Sequence, residues 1–149
     1  MHIPATITEK NVETNALLDS GAGGIFMDKN YIKQHHITME LLPKPIKVYN
    51  VDGTQNKTGS ITWYTWQNMV IGGHTLKTRF LVSGLGKEDV ILGLPWLCQV
   101  NPKIDWHKNT LEIIPLQIKP NLADIVQQAQ ERKGQVVIEL LLLAQKPHG

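Results

Sequence analysis

The sequence holds a single cysteine, Cys98, in 149 residues, so no internal disulfide can form and nothing argues for an oxidising compartment. Charge of one sign is equally scarce. Fifteen Lys and Arg stand against thirteen Asp and Glu, a net charge of +2, and no Lys/Arg run concentrates it into the basic footprint that holds nucleic acid. A long hydrophobic run is also missing. Val136 to Ala144 is interrupted by Glu139 and falls well short of the roughly 20 residues that cross a bilayer. Met1 to Lys10 has neither the basic start nor the apolar stretch of a secretory signal. A cytoplasmic chain with no membrane partner and no nucleic-acid partner is the expectation. Of six histidines, His35 and His36 are adjacent and the rest are scattered, with no H-E-x-x-H spacing; no metal site is expected. Ser83-Gly84-Leu85-Gly86 lacks the lysine and spacing of a phosphate loop. No cofactor is expected either.

What is present is the composition of one globular domain, 42% hydrophobic and 19% charged. The most informative stretch is Ala16-Leu17-Leu18-Asp19-Ser20-Gly21-Ala22-Gly23. Apolar residues run straight into an acid, a hydroxyl and a cluster of small residues. This reads as a buried strand delivering a carboxylate to a tight turn, where ionisation is costly unless the group is paired or hydrogen-bonded. The same letters also suit a strand closing in an ordinary Asx turn. Seventy residues after Asp19 comes a second apolar run stopped by glycine, Asp89-Val90-Ile91-Leu92-Gly93-Leu94-Pro95-Trp96-Leu97.

Taken in order, Ile3, Ala5 and Ile7 alternate as a first strand, and Thr14 to Leu18 forms the strand before Asp19. Asp28 caps a short helix through about His35, with Tyr31 and Ile32 facing inward. Pro43 and Pro45 forbid regular helix. Lys47 to Val51 and Gly59 to Trp66 read as strands around a polar stretch containing Asp52-Gly53, a hairpin-turn signal. Gln67 to Ile71, a Gly72-Gly73 turn and Leu76 to Val82 read as a further hairpin. Val90 to Leu92 is a short buried strand, and Pro95 opens a helix to about Val100. Two short antiparallel strands follow, around Ile104 and Leu111. Cys98 reads as core, and so do the tryptophans, as core or interface. Asp28, Asp52, Asp89 and Asp105 read as caps, turn residues or surface charges. Residues 1–116 make one domain and 117–149 a C-terminal extension or polyprotein linker. In that tail Leu122 to Arg132 suits a helix, while Val136 to Leu143 suits either a strand or a helix.

An apolar-apolar-D-[ST]-G turn followed at this distance by I-L-G-x-x-W-L resembles the retropepsin family of aspartic proteases, in particular those of gypsy-type long-terminal-repeat retrotransposons. The likeness runs from about His2 to Ile114. It implies an all-β fold: a retropepsin-like closed β-barrel with a flap hairpin and one or two short helices, its active site at a homodimer interface. It implies that Asp19, Ser20 and Gly21 are catalytic, and that Ala22, Gly23, Val51, Asp52, Gly53 and Ile91 bind substrate. The flap reading of Val51 to Gly53 stands beside that of an ordinary surface hairpin. Aspartic proteases use two carboxylates sharing one proton, because like charges about 3 Å apart cannot both ionise. They are the standard case of that effect, and the dyad logic is carried over from them. A chain with one D-S-G would take the second aspartate from another copy.

The implied function is an aspartic endopeptidase that cleaves a retroelement Gag-Pol-type polyprotein, in the cytoplasm or within virus-like particles, and the chain reads as a piece of such a polyprotein. The alternatives are a weak or inactive retropepsin-fold module for dimerisation or binding, and a host retropepsin-like regulatory protease. Two departures from the family pattern bear on substrate contacts. Gly23 stands where gypsy-type sequences usually carry a hydroxyl residue. Gly23 and Leu94 also stand where retroviral relatives commonly place an acid and an arginine.

Overall fold

The structure is a computed structural model; it describes residues 1–49, 59–119, 122–123 and the backbone of 135–137. Among the described residues, ten strands and two short α-helices follow one another, with a single 3-10 turn at Pro115–Gln117. The strands and α-helices are β1 (His2–Ile7), β2 (Val12–Leu18), β3 (Ile25–Asp28), α1 (Lys29–His35), β4 (Glu40–Tyr49), β5 (Ile61–Ile71), β6 (His74–Ser83), β7 (Val90–Leu92), α2 (Leu94–Val100), β8 (Lys103–Asp105), β9 (Thr110–Glu112) and β10 (Gln135–Val137). The main sheet runs β1-β2-β7-β3-β6-β5-β4-β10, and β1 also pairs with β5. That extra pairing, Ala5 opposite Ile71 and Ile7 opposite Met69, closes six strands into a barrel, so the expected all-β closed barrel is the observed fold. β4 pairs antiparallel with β5; Val51, Asp52 and Gly53, expected in a flap hairpin, lie outside the described residues.

Period-two alternation explains why the central strands read as unbroken apolar runs. On β2, Ala16 and Leu18 enter one core cluster and Leu17 the other. On β7, Val90 and Leu92 face the first cluster and Ile91 the second. β3 and β6 divide in the same way, with Phe26 and Leu81 in the second cluster. Strands covered on both faces have no polar side to show. A shift of one residue in register would exchange the two sets, so the packing specifies the pairing.

Three details differ from the pattern of the sequence. β5 is one eleven-residue strand rather than two pieces meeting near Trp66. Its inward positions include Thr65 and Gln67, both buried, and these polar residues interrupt the apolar alternation. They are satisfied locally: Gln67 Nε2 donates to Thr65 Oγ1 at 2.7 Å, and Thr65 Oγ1 donates to Thr38 O at 2.6 Å. β4 begins at Glu40 and carries Pro43 and Pro45 within it. Its pairing with β5 shifts register between Leu41 and Ile46, which is where a strand tolerates residues that cannot donate. Cys98 is exposed, because α2 turns Trp96 and Val100 inward and the residue between them outward. Of the tryptophans only Trp96 is core; Trp63, Trp66 and Trp106 are exposed.

Candidate active site

The β2 strand ends at Leu18, but its ladder extends one residue further: Asp19 N–H donates to Leu92 O at 3.1 Å. The chain then turns back on itself. Gly21 N–H donates to Asp19 Oδ1 at 3.0 Å, and Ala22 N–H donates to Asp19 O at 3.1 Å. The turn is clamped from the other side by the segment after β7. Gly93 N–H donates to Gly24 O at 3.0 Å and Leu94 N–H to Ala22 O at 2.8 Å. The two stretches singled out in the sequence are therefore hydrogen-bonded to each other.

Space decides the glycine at 93. Its φ of −83° is ordinary, yet a Cβ there would collide with the carbonyl oxygens of Gly24 and Ala22. Gly24 is similarly confined, since a Cβ would come within 2.7 Å of the Phe26 ring. Sequence reasoning took Gly93 only as a strand stop and missed both clamping residues. The I-L-G signal was there, but a close backbone approach is invisible until both backbones are placed.

One oxygen of the carboxylate, Asp19 Oδ1, is engaged by the turn. The other, Oδ2, is buried and accepts no hydrogen bond from the described residues. Buried polar atoms are ordinarily paired; among the described residues this oxygen and Trp96 Nε1 are the buried side-chain atoms that are not. Ser20 beside it is exposed, Gly21 and Gly23 are half-exposed, and Ala22 is buried. Asp19, Ser20, Gly21, Ala22 and Gly23 thus form one loop, as expected. Ile91 is different. It is fully buried in the second core cluster with Leu17, Ala22, Ile46 and Val48, so it packs beneath the loop and is not part of its exposed surface. Leu94 is about half exposed next to the loop.

No second carboxylate on the neighbouring strands reaches Asp19. β7 runs parallel to β2, with Ala16 opposite Val90 and Leu18 opposite Leu92. Asp89 therefore enters at the end of the pair away from Asp19, a separation of about 13 Å at 3.3 Å per residue. Asp28 is at that far end too, its N–H donating to Asp89 O at 2.8 Å. Its carboxylate is fully occupied: Oδ2 accepts from Asn30 N–H and Tyr31 N–H, both at 3.1 Å, and Oδ1 from Leu85 N–H at 2.9 Å. This is the expected helix cap, with a second task of holding the loop after β6. Asp89 is half-buried and accepts from Thr14 Oγ1 at 3.3 Å. Burial pushes its carboxyl up, the Thr14 hydrogen bond opposes that, and the charges of Asp28 and Glu88 add to the rise. Burial, then the Asp89 charge, pushes the Tyr31 hydroxyl up to about 12.

Two surface clefts of about 480 and 560 Å³ share Pro4, Asn15 and Asp89 in their walls and include none of residues 19–24. In the single chain they are not where the orphaned oxygen is. Among the described residues no group of three His, Cys, Asp or Glu could hold a metal ion, and no helix is long and apolar enough to cross a membrane.

Residues 15–116 match the family model of the PEG10/RTL1 protease domain. The chain belongs to that family. The matched span begins within β2 and includes both halves of the clamped loop; β1, which closes the barrel, precedes it. Among solved structures, the retroviral protease-like domain of Ddi1 from Leishmania major is similar with a TM-score of 0.52 and 18% identity, over 77% of this chain and 93% of that one. The EIAV protease complexed with the inhibitor HBY-793 gives 0.46 at 22% identity, over 70% of this chain and 91% of that one. The simian foamy virus (mac) protease gives 0.45 at 12% identity, over 70% and 100%. The fold is that of a retropepsin-like protease, and the PEG10/RTL1 protease-domain match covers its candidate site.

Proposed function

We propose that this chain is an aspartic endopeptidase that works as a homodimer, with one Asp19 from each copy. The observation that carries the reading is the buried Asp19 Oδ2 without a partner, on a loop whose backbone is held from both sides. A second Asp19 brought against it would share its proton, one carboxylate activating water as general base and the other, protonated, donating to the peptide carbonyl oxygen. Asp28 and Asp89 at the far end of the strands are not available for that pairing, which supports a second copy as its source. The Ser20 hydroxyl, exposed in the single chain, would bond across the two loops. Backbone groups of Gly21, Ala22 and Gly23 would hold an extended substrate strand, covered by the hairpin carrying Val51, Asp52 and Gly53. A polyprotein of a gypsy-type retroelement, from which such a domain would descend, is the substrate proposed.

The test is cleavage of peptide substrates by the chain and by Asp19→Asn, with circular dichroism confirming that both are folded. The variant is expected to lose activity by several orders of magnitude. A peptide with a hydroxyl in place of the scissile carbonyl should inhibit, since mimics of the transition state bind far more tightly than substrate. Wild-type rates in a folded Asp19→Asn chain would overturn the assignment. A folded wild-type chain that binds the hydroxyl peptide but cleaves nothing would favour the binding module.

A further inference from the structure

The outer edge of β4 carries a contact that the protease reading does not use. β10 lies along it in parallel, with Gln135 opposite Lys47, Val136 opposite Val48 and Val137 opposite Tyr49. The paired residues are 88 apart (135 − 47), and no tight turn sets such a register. The contact therefore reflects what the edge itself offers. Along the first half of β4, Pro43 and Pro45 lack the N–H groups that a neighbouring strand needs. From Ile46 onward every residue of β4 carries an N–H, and the tail pairs with the three residues immediately after it. A strand edge with open donors and acceptors is a template for any extended chain.

The strand that bears this edge shares a core cluster with the site loop. Ile46 and Val48 are buried in one cluster with Leu17, Ala22 and Ile91, and Ala22 is part of the loop that begins at Asp19. We propose that the Lys47–Tyr49 edge is a docking edge for an extended peptide, and that Gln135–Val137 fills it in cis. The tail is then a built-in competitor for peptide bound beside the site loop. Main-chain hydrogen bonds supply the affinity in such strand addition, so the occupant needs only an extended backbone. A tethered strand competes at an effective concentration on the order of millimolar, enough to exclude free peptide at micromolar levels. The effect on cleavage rests on the protease reading; the docking does not.

The test uses the full chain with Asp19→Asn, so that nothing is cleaved, and a fluorescent synthetic peptide with the sequence of residues 133–140. Two tail variants break the ladder at alternate positions: Val136→Pro, and Gln135→Pro with Val137→Pro. At least one should bind the peptide tenfold or more tightly than the chain with its own tail, by fluorescence anisotropy. Hydrogen exchange at the Lys47–Tyr49 amides should quicken in that variant and slow again when peptide is added, while β5 and β6 amides stay protected. Equal peptide affinity in all three chains, or peptide binding that leaves the Lys47–Tyr49 amides unchanged, would overturn the proposal. With Asp19 restored, the same variant should show a several-fold higher kcat/KM on a peptide substrate. Absence of all cleavage beside intact peptide docking would strike the protease reading alone.

Discussion

At the scale of single residues, the site depends as much on space as on the acid. Gly93 is needed because two carbonyl oxygens occupy the volume that any side chain would enter. Gly93→Ala should therefore destabilise the chain by about 1–3 kcal/mol, the usual cost of forcing atoms into a packed region, measurable by urea unfolding. If Gly93→Ala unfolds at the wild-type midpoint, the clamp is looser than described. Asp89 is the converse case, a carboxylate whose folded environment disfavours its charge. Burial is the main cause, and it raises the carboxyl above the ordinary aspartate value of 3.8. The folded chain then holds that proton more tightly than the unfolded chain. This stabilisation is fully present below the unfolded value and is lost as pH rises through the folded one. Asp89→Asn keeps an acceptor for Thr14 and removes the loss. Its melting midpoint should exceed that of the parent at pH 7, with the difference vanishing below pH 3.8. A difference independent of pH would rule out the charge as its cause.

At the scale of elements, short helices and short strands hold together through shared anchors. α1 has only seven residues, too few to be stable alone, so its start must be fastened from outside. Asp28 does this, and the same carboxylate receives Leu85 N–H from the loop after β6. Leu85 itself is fully buried in the second core cluster. Asp28→Ala removes three acceptor contacts from two elements at once. Loss of a cap costs about 1 kcal/mol, and orphaning a further buried N–H adds about 1–3 kcal/mol. A total of about 2–4 kcal/mol is expected by chemical denaturation, with Asp28→Asn between it and the parent. A cost below about 1 kcal/mol would mean that the Leu85 contact contributes nothing.

At the scale of the molecule, closure of the barrel leaves Asp19 on a loop with its oxygen unspent and its nearest strand-borne carboxylates at the opposite end. Under the dimer reading, one chain alone is inert. Specific activity should then fall on dilution, with rate approaching the square of concentration below the dimer dissociation constant, and thermal stability should fall with it. The sharper measurement uses two copies joined by a linker and assayed dilute. Asp19→Asn in one copy should silence the tandem nearly as fully as in both. A half-mutated tandem that keeps half its rate would mean that each chain cleaves by itself.

Local signals alone determined much of this protein. The D-S-G turn at a strand end, the Asp28 cap, the Gly72-Gly73 hairpin and the proline opening α2 were legible because each depends on residues a few positions apart, and neighbours in sequence are always neighbours in space. β5 was misjudged because buried Thr65 and Gln67 satisfy each other, and polar letters at inward positions hide a strand's period. Tertiary structure decided the rest. Any apolar strand can pair with any other; the order that sets β7 between β2 and β3 buries both faces at Ala16–Leu18, Ile25–Asp28 and Val90–Leu92. From that choice follow the clamp of Gly93 on Gly24 and Ala22, the orphaned Asp19 oxygen, and the exile of Asp28 and Asp89 to the far end. The same holds for β10, whose pairing with β4 needs an edge that exists only once the sheet is assembled.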